Sequence, residues 1–141
     1  MKKKISIVTP TLNERENIED FISQVREEMK KHEFEYEHII IDNCSNDGTV
    51  EILRNIVKFD SKVKVILNSR NFGSVRSPFY GLLQSSGDAT ILINADFQDP
   101  IDLIPKYIDK WNEGNDIVLN EKSKSDENKF VFFVRKLFYN F

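Results

Sequence analysis

Short apolar runs and longer amphipathic stretches alternate along this chain. Five runs have the length and aliphatic character of buried β-strands: KISIVT (4–9), YEHIIID (36–42), KVKVILN (62–68), ATILIN (89–94) and DIVLN (116–120). Polar residues follow each run, and stretches with helical periodicity separate one run from the next. The pattern therefore predicts that strands and helices alternate in sequence.

The stretches between the runs carry apolar residues three or four positions apart. Within residues 14–31 this spacing lines one helix face with Ile18, Phe21, Ile22, Val25 and Met29. Asn13 and Glu16 have the spacing of a capping box for this helix. The periodicity returns in residues 52–57, 75–83 and 103–111, and Pro78 is expected to set the start of its helix at about that position.

Regular alternation of strand and helix predicts an α/β fold with a mostly parallel sheet and helices on both faces. In such sheets ligands bind outside the carboxyl ends of the strands. The residues that follow the first four runs are polar and mostly short, and they read TPTLNE, DNCSNDGT, NSRNFG and NADFQDP. We therefore expect the functional site to be built from these four segments.

Length, charge, apolar stretches and cysteine content limit the kinds of protein that this chain can be. The chain has 141 residues, enough for one domain, with 20 basic and 23 acidic residues and a net charge of -3, which argues against nucleic acid as the ligand. No apolar stretch is long enough to span a bilayer. Cys44 is the single cysteine and no secretory signal is recognisable, so we expect a cytoplasmic protein.

The end of the sequence changes character. Residues 122–129, KSKSDENK, are typical of a solvated loop, and FVFFVRKLFYNF at 130–141 is rich in aromatic residues. An uncovered apolar surface of this kind indicates a partner, a membrane surface or further sequence that covers it. It also makes self-association a reasonable expectation.

Two acids follow the fourth run. Asp96 and Asp99 alternate with Asn94 and Gln98, and such oxygen ligands suit Mg²⁺ or Mn²⁺, which often complete their coordination with phosphates and water. Asp99 has a second interpretation as the cap of a helix that starts at Pro100. A purely structural role is less favoured for Asp96, which is the stronger metal candidate.

The loop after the second run offers another acid. Asp42 lies where acids of dinucleotide-binding folds accept hydrogen bonds from a ligand hydroxyl or base. Asp47 and Gly48 are typical of a turn or cap. Cys44 has no second cysteine nearby, so a metal or redox role is not expected.

Other enzymes that use acids at strand ends fit less well. A haloacid-dehalogenase-like phosphatase needs a nucleophilic aspartate where this chain has Asn94, and a receiver-like phosphoacceptor needs an acidic pair where TPTLNE has only Glu14. The phosphate-binding pattern GxxxxGK[ST] is absent.

The ordered motifs TPTLNERENI, IIIDNCSNDGT, SRNFG, SSGDATILINADFQDP and LFYNF resemble those of the family 2 glycosyltransferases, and most closely the polyprenyl-phosphate sugar transferases. The resemblance extends over essentially the whole chain. It implies a Rossmann-like GT-A domain that binds a nucleotide sugar in residues 1–121. Residues 122–141 would then form a loop and an amphipathic aromatic helix, ending before the acceptor region.

The resemblance also implies roles for individual residues. Those expected to bind the nucleotide are Pro10, Thr11, Glu14, Asp42, Arg70, Asn94 and Ala95. Asn94, Ala95 and Asp96 occupy the family's DxD motif, and Gln98 matches the glutamine that follows it. Asp96 is expected to be a catalytic residue that, with Gln98, binds Mg²⁺ or Mn²⁺.

The implied reaction is transfer, with inversion, of a sugar from a UDP- or GDP-sugar to a polyprenyl phosphate at the cytoplasmic face of the membrane. Two positions depart from the family pattern, since Asn94 and Asn43 stand where acids are usual. Asn94, together with the absence of the acceptor half from this sequence, favours the alternative of a non-catalytic nucleotide-binding or membrane-docking scaffold. A sugar nucleotidyltransferase is disfavoured because TPTLNERE lacks glycine.

Overall fold

The computed structural model describes residues 2–120, and within them four parallel strands alternate with four helices. The strands are β1 (Lys4–Thr11), β2 (Glu35–Asp42), β3 (Val63–Leu67) and β4 (Ala89–Leu92). The helices are α1 (Ile18–Met29), α2 (Thr49–Phe59), α3 (Gly73–Leu83) and α4 (Leu103–Asn112). The sheet order is β3-β2-β1-β4, which confirms the predicted α/β fold.

The register brings the polar strand ends together. Thr11 pairs with Asp42 and Asp42 pairs with Leu67, while Val8 pairs with Leu92 on the other side of β1. Because all four strands run in the same direction, the segments that follow them leave the sheet at one edge. The order places the ends of β1 and β4 next to each other.

The two faces of the sheet are covered unequally. α1, α2 and α4 contribute to one core cluster with the alternate strand residues Ile5, Ile7, Ile40 and Ile91. α3 covers the opposite face, where a Cβ on Gly81 would lie 2.8 Å from Val8 Cγ1 and 3.2 Å from Ile41 Cγ2. Glycine at this position therefore allows α3 to approach the sheet closely.

A buried carboxylate ties the amino ends of the strands together. Glu37 Oε1 accepts hydrogen bonds from Ser6 Oγ and from the backbone and hydroxyl of Ser86, and Oε2 accepts one from Lys64 Nζ. Burial would raise the pKa of Glu37, but these hydrogen bonds outweigh burial and hold the pKa well below its usual range. Glu37 thus stays ionised and fixes the sheet at the edge opposite the polar loops.

A histidine is buried on the α1 face of the sheet. His38 Nε2 lies 2.9 Å from Thr9 Oγ1, and the imidazole packs against Phe21 with a ring-centre distance of 6.2 Å. Burial lowers the pKa of His38 to about 3, because the charged form loses its hydration. The folded protein therefore holds a neutral histidine near pH 7.

The predicted fifth strand at 116–120 is wrong. Within the described residues this segment has no strand partner, and the side chains of Ile117 and Leu119 are 80% and 86% exposed. It lines, together with β4, a cavity of about 740 Å³. A gap therefore separates the segment from β4, and within residues 2–120 its aliphatic side chains meet no neighbouring strand.

Two predicted helix starts are also wrong. Asn13 adopts a left-handed φ of 58° and α1 begins only at Ile18, so Asn13 and Glu16 do not form a capping box. α3 begins at Gly73 and contains Pro78 in its interior. Asn71 Oδ1 accepts a hydrogen bond from Gly73 N, which satisfies one of the free amides of the first turn and lets the helix start early.

The loop and aromatic helix predicted at 122–141 lie outside the described residues. Among the helices of residues 2–120, none combines the length and apolar character needed to cross a membrane.

Candidate functional site

A small cleft opens at the carboxyl edge of the sheet, between the ends of β1 and β4 and the first turns of α3. Its volume is about 200 Å³. Six of the residues predicted to form the site line it: Pro10, Thr11, Glu14, Asn94, Ala95 and Asp96. The remaining lining residues are Leu12, Gly73, Ser74 and Pro78. The fold thus assembles three segments, 10–14, 73–78 and 94–96, which are distant from one another in the sequence.

The loop after β1 is fixed to the loop after β2. Asn13, in its left-handed conformation, donates from its backbone to Ser45 Oγ over 2.8 Å and accepts at Oδ1 from Asn46 N over 3.0 Å. Asparagine tolerates this conformation better than most residues. Glu14 N donates to Thr49 Oγ1 over 3.0 Å, and Glu14 Oε2 accepts from Asn17 Nδ2 over 2.9 Å. These bonds hold Glu14 at the rim of the cleft.

Asp42 lies beside the cleft and is only 1% exposed. Its Oδ1 accepts hydrogen bonds from the backbone amides of Cys44 and Ser45, and its Oδ2 accepts from Ser45 Oγ and from Thr11 Oγ1 at 3.4 Å. Asp42 therefore organises the loop that follows β2 and connects it to Thr11 in the cleft wall.

Asp47 and Gly48 behave as turn residues, as the sequence indicates. Asp47 Oδ1 accepts from the backbone and hydroxyl of Thr49, and Gly48 has a φ of 104°. Burial would raise the pKa of Asp47, but the hydrogen bonds from the Thr49 hydroxyl and from backbone amides, including those of Thr49 and Arg15, together outweigh burial and lower the pKa. This turn starts α2 and takes no part in lining the cleft.

Buried and exposed side chains alternate in the acidic loop after β4. Ile91, Ile93 and Ala95 are buried, whereas Asn94 and Asp96 point outward and are exposed. Ile93 N still donates to Val8 O over 3.0 Å, which extends the pairing with β1 beyond the last assigned residue of β4.

Phe97 anchors the far side of this loop. Its ring packs edge-on against Phe21, with ring centres 5.5 Å apart, and its backbone adopts a left-handed φ of 57°. The chain therefore turns sharply directly after Asp96. Asp96 Oδ1 accepts from Gln98 N over 3.1 Å, and Gln98 is exposed outside the cleft.

Asp99 is not a helix cap, because α4 begins only at Leu103. Its Oδ2 accepts a hydrogen bond from Asn94 Nδ2 over 3.3 Å. Asp96 thus lies within a short loop whose two ends are linked through the Asn94–Asp99 contact.

The donor set of this loop fits a hard divalent cation. Asp96 is an exposed carboxylate, and Asn94, Gln98 and Asp99 supply further oxygens within five positions. Within residues 2–120 no three His, Cys, Asp or Glu side chains are grouped closely enough to hold a metal by themselves. A cation at Asp96 would therefore complete its coordination with ligand phosphate oxygens and water, as Mg²⁺ commonly does.

Arg70 lies outside the cleft lining. It is exposed, and its guanidinium stacks over the Phe72 ring at 4.8 Å. The structure does not bring Asp42, Arg70 or Gln98 into the cleft lining together with the other six predicted residues.

Sequence comparison decides the family. Residues 6–139 match the family described as Glycosyl transferase family 2. The chain belongs to this family. The bactoprenol glucosyl transferase of Shigella phage SfV is 42% identical over 120 residues, which are 85% of this chain and 39% of that protein. An uncharacterized glycosyltransferase of Synechocystis, sll0501, is 35% identical over 99% of this chain and 44% of its own length.

This family 2 chain therefore spans about two fifths of the length of the curated relatives it matches.

Solved structures confirm the predicted GT-A fold. The TarS 1–349 protein of S. aureus in complex with UDP-GlcNAc has a TM-score of 0.63 at 20% identity, covering 91% of this chain and 37% of that one. The mannosyltransferase PcManGT of Pyrobaculum calidifontis with GDP-Man and Mn²⁺ has a TM-score of 0.59 at 18% identity, covering 71% and 34%.

Sequence reasoning missed two residues of the cleft, Ser74 and Pro78, whereas Leu12 and Gly73 were included only as members of the segments TPTLNE and NSRNFG. Ser74 and Pro78 were missed because the helix was expected to begin at Pro78. Asn71 could have indicated this earlier helix start. It lies two residues before Gly73, and an asparagine side chain commonly accepts a hydrogen bond from the backbone amide two positions ahead.

Proposed function

We propose that this chain is the donor-binding part of an inverting glycosyltransferase that moves a sugar from a nucleoside-diphosphate sugar to a polyprenyl phosphate lipid. One observation carries the proposal. In a chain of glycosyl transferase family 2, the cleft between β1 and β4 collects Thr11, Glu14 and the exposed acid Asp96. Each of these residues occupies a position at which the family motifs imply contact with the donor.

The proposed donor is a UDP- or GDP-sugar. Two proteins of similar fold are described in complex with UDP-GlcNAc and with GDP-Man, which supports this class of ligand. We assign recognition of the base to Asp42. Its Oδ2 accepts from the Ser45 hydroxyl, and a base N–H would take the place of that hydroxyl, which rotates freely about its own bond.

We place the diphosphate at the end of β4. Asp96, with Gln98, would hold Mg²⁺ or Mn²⁺ there, and PcManGT in complex with GDP-Man and Mn²⁺ supports this choice of ion. The bound cation supplies stabilisation of the negative charge that develops on the departing nucleoside diphosphate. Asn94 and Ala95 would position the loop against the donor, and Pro10 and Thr11 would form the opposite wall.

The proposed acceptor is a polyprenyl phosphate in cell-envelope or polysaccharide biosynthesis. Relatives named bactoprenol glucosyl transferases support a lipid carrier. A phosphate oxygen is already anionic near neutral pH, so a strong general base is not required for attack on the anomeric carbon. We place the reaction at the cytoplasmic face of the membrane, with the aromatic residues 130–141 as the contact to its surface.

One observation favours a second candidate, a scaffold that binds nucleotide without turnover. Asn94 replaces an acid of the DxD motif, and its amide donates to Asp99. The substitution removes one charge from the cation site, and the hydrogen bond engages Asp99. A protein with these features would retain nucleotide affinity and lack transfer.

The experiment uses the whole enzyme of which this chain is the proposed donor-binding part, and it follows labelled sugar from UDP-glucose or GDP-mannose, with Mn²⁺, into detergent-solubilised polyprenyl phosphate. We expect label in the organic phase with the unaltered protein, and at least a hundredfold loss in Asp96→Asn. Asp109→Asn, on the exposed side of α4, is the matched control and should retain transfer. Proton coupling constants of the product then report inversion. Binding of nucleotide without any transfer would support the scaffold instead.

A further inference from the structure

The side chain of Asn43, the first residue after β2, is buried and faces the loop between β3 and α3. The residue is 6% exposed. Its Oδ1 accepts from Phe72 N over 2.8 Å and from Asn68 Nδ2 over 3.2 Å. Its Nδ2 donates to Asn71 Oδ1 over 2.8 Å and to Gly73 O over 3.4 Å. One amide thus contacts three residues of a single loop and Gly73, the first residue of α3.

The partners of Asn43 extend these contacts into α3. Asn71 Oδ1 also accepts from Gly73 N over 2.8 Å, and Asn68 Nδ2 also donates to the buried Ser77 Oγ over 2.9 Å. The hydrogen bonds therefore connect the ends of β2 and β3 to the first turns of α3. A change at Asn43 would remove the side-chain link between the end of β2 and this loop, while the backbone pairing of β2 with β3 would remain.

This loop carries one wall of the cleft. Gly73 and Ser74 line the cleft opposite Asn94 and Asp96, and Arg70 is held on the ring of Phe72, whose backbone Asn43 binds directly. We propose that Asn43 is a positioning residue, which fixes residues 68–73 so that Arg70 and the start of α3 meet the diphosphate of the donor. The inference rests on the proposed donor-binding function of the cleft.

The arrangement requires an amide at position 43. An ionised carboxylate only accepts hydrogen bonds, so an aspartate at this position would direct a negative oxygen at two acceptors, Asn71 Oδ1 and Gly73 O. Asparagine supplies acceptor and donor together. Family members usually have an acid at position 43. In this chain the residue there is an asparagine, and the asparagines at 68 and 71 are its hydrogen-bond partners.

The experiment compares Asn43→Ala with Asn46→Ala, the same truncation at an exposed position of the same loop. Amide hydrogen exchange is measured on the free protein, and the affinity for UDP and GDP is measured with Mn²⁺. In Asn43→Ala we expect roughly tenfold or faster exchange at Phe72 and about tenfold weaker nucleotide binding, as loss of a buried hydrogen-bond partner implies. Asn46→Ala should match the unaltered chain in both.

Two further variants keep the comparison decisive. Asn43→Asp keeps the acceptor for Phe72 N but replaces the donor with a negative oxygen that faces Asn71 Oδ1 and Gly73 O, so it should weaken nucleotide binding while exchange at Phe72 changes less than in Asn43→Ala. If Asn43→Ala does not fold, Asn71→Ala removes the partner of Nδ2 from an exposed residue and should show the same loss of affinity.

A folded Asn43→Ala that melts at lower temperature and binds nucleotide as tightly as the unaltered chain would overturn the inference, because Asn43 would then only contribute stability. Unchanged exchange at Phe72 would overturn it as well. If the unaltered chain binds neither UDP nor GDP, the proposed function fails, and the exchange measurement still decides whether Asn43 holds the loop.

Discussion

Asn94 donates a hydrogen bond from its side-chain amide to Asp99 Oδ2 over 3.3 Å, and the two residues close the loop that presents Asp96 to the cleft. An acid at position 94 would change this relationship. Two carboxylates would then face each other, and a divalent cation would relieve their repulsion.

Asn94→Asp should therefore raise the affinity for Mn²⁺. An added charge within about 4 Å of the cation contributes roughly 1 kcal/mol or more, which corresponds to about tenfold tighter binding. The measurement is the Mn²⁺ concentration that half-saturates nucleotide binding. Asn55→Asp adds the same charge to exposed α2 and should leave this concentration unchanged. An unaltered value in Asn94→Asp would show that position 94 does not contact the cation.

The buried His38 predicts a specific dependence of stability on pH. Its folded pKa of about 3 lies below the unfolded value of about 6.5, so the unfolded chain binds more protons between these two values. Stability is then fully present above pH 6.5 and is lost as the pH falls. Between pH 6.5 and 4.5 the free energy of unfolding should drop by roughly 2 to 3 kcal/mol.

Denaturant unfolding at several pH values measures this effect. In His38→Gln the dependence on pH within this window should largely disappear, although the variant is less stable throughout. His32→Gln, the change at the other histidine, is the control and should keep the slope of the unaltered chain. A slope that persists in His38→Gln would assign the proton uptake to another group.

The close contact of α3 with the sheet predicts how much stability an added methyl group at position 81 would cost. In Gly81→Ala the new Cβ would lie 2.8 Å from Val8 Cγ1, and valine has few alternative rotamers. Overpacking of this kind costs about 1–3 kcal/mol, measurable as a lower midpoint of denaturation. Leu83→Ala, at a position on the same helix that is 63% exposed, should cost much less. Equal losses in the two variants would refute the close approach of α3.

Periodicity was sufficient for much of the fold. The first four apolar runs form β1 to β4 because each lies in a sheet with neighbours on at least one side. The run at 116–120 has the same composition and forms no strand within residues 2–120, because a strand needs a hydrogen-bonding partner that composition does not reveal. Pro78 misled the prediction of α3, since side-chain contacts from Asn71 determine where that helix starts.

The cleft residues that directly follow strands were predictable from the sequence. Residues directly after β1 and β4 line it because parallel strands deliver their carboxyl ends to one edge. The environment of Asp42 was not predictable, since its burial depends on how Ser45 and Thr11 fold around the carboxylate. The aromatic end at 130–141, with the membrane contact and self-association predicted from it, stays a prediction outside the described residues.

The central claim is that Asp96 and the cleft between β1 and β4 bind a nucleoside diphosphate with a divalent cation. Calorimetric titration of this chain with UDP and GDP, each with and without Mn²⁺, tests it most directly. We expect one nucleotide to bind only with Mn²⁺, and Asp96→Asn to weaken that binding at least about tenfold, while Asp109→Asn does not. If neither nucleotide binds at millimolar concentration, where the binding free energy is only about -4 kcal/mol, or if Asp96→Asn binds as well as the unaltered chain, the account is contradicted.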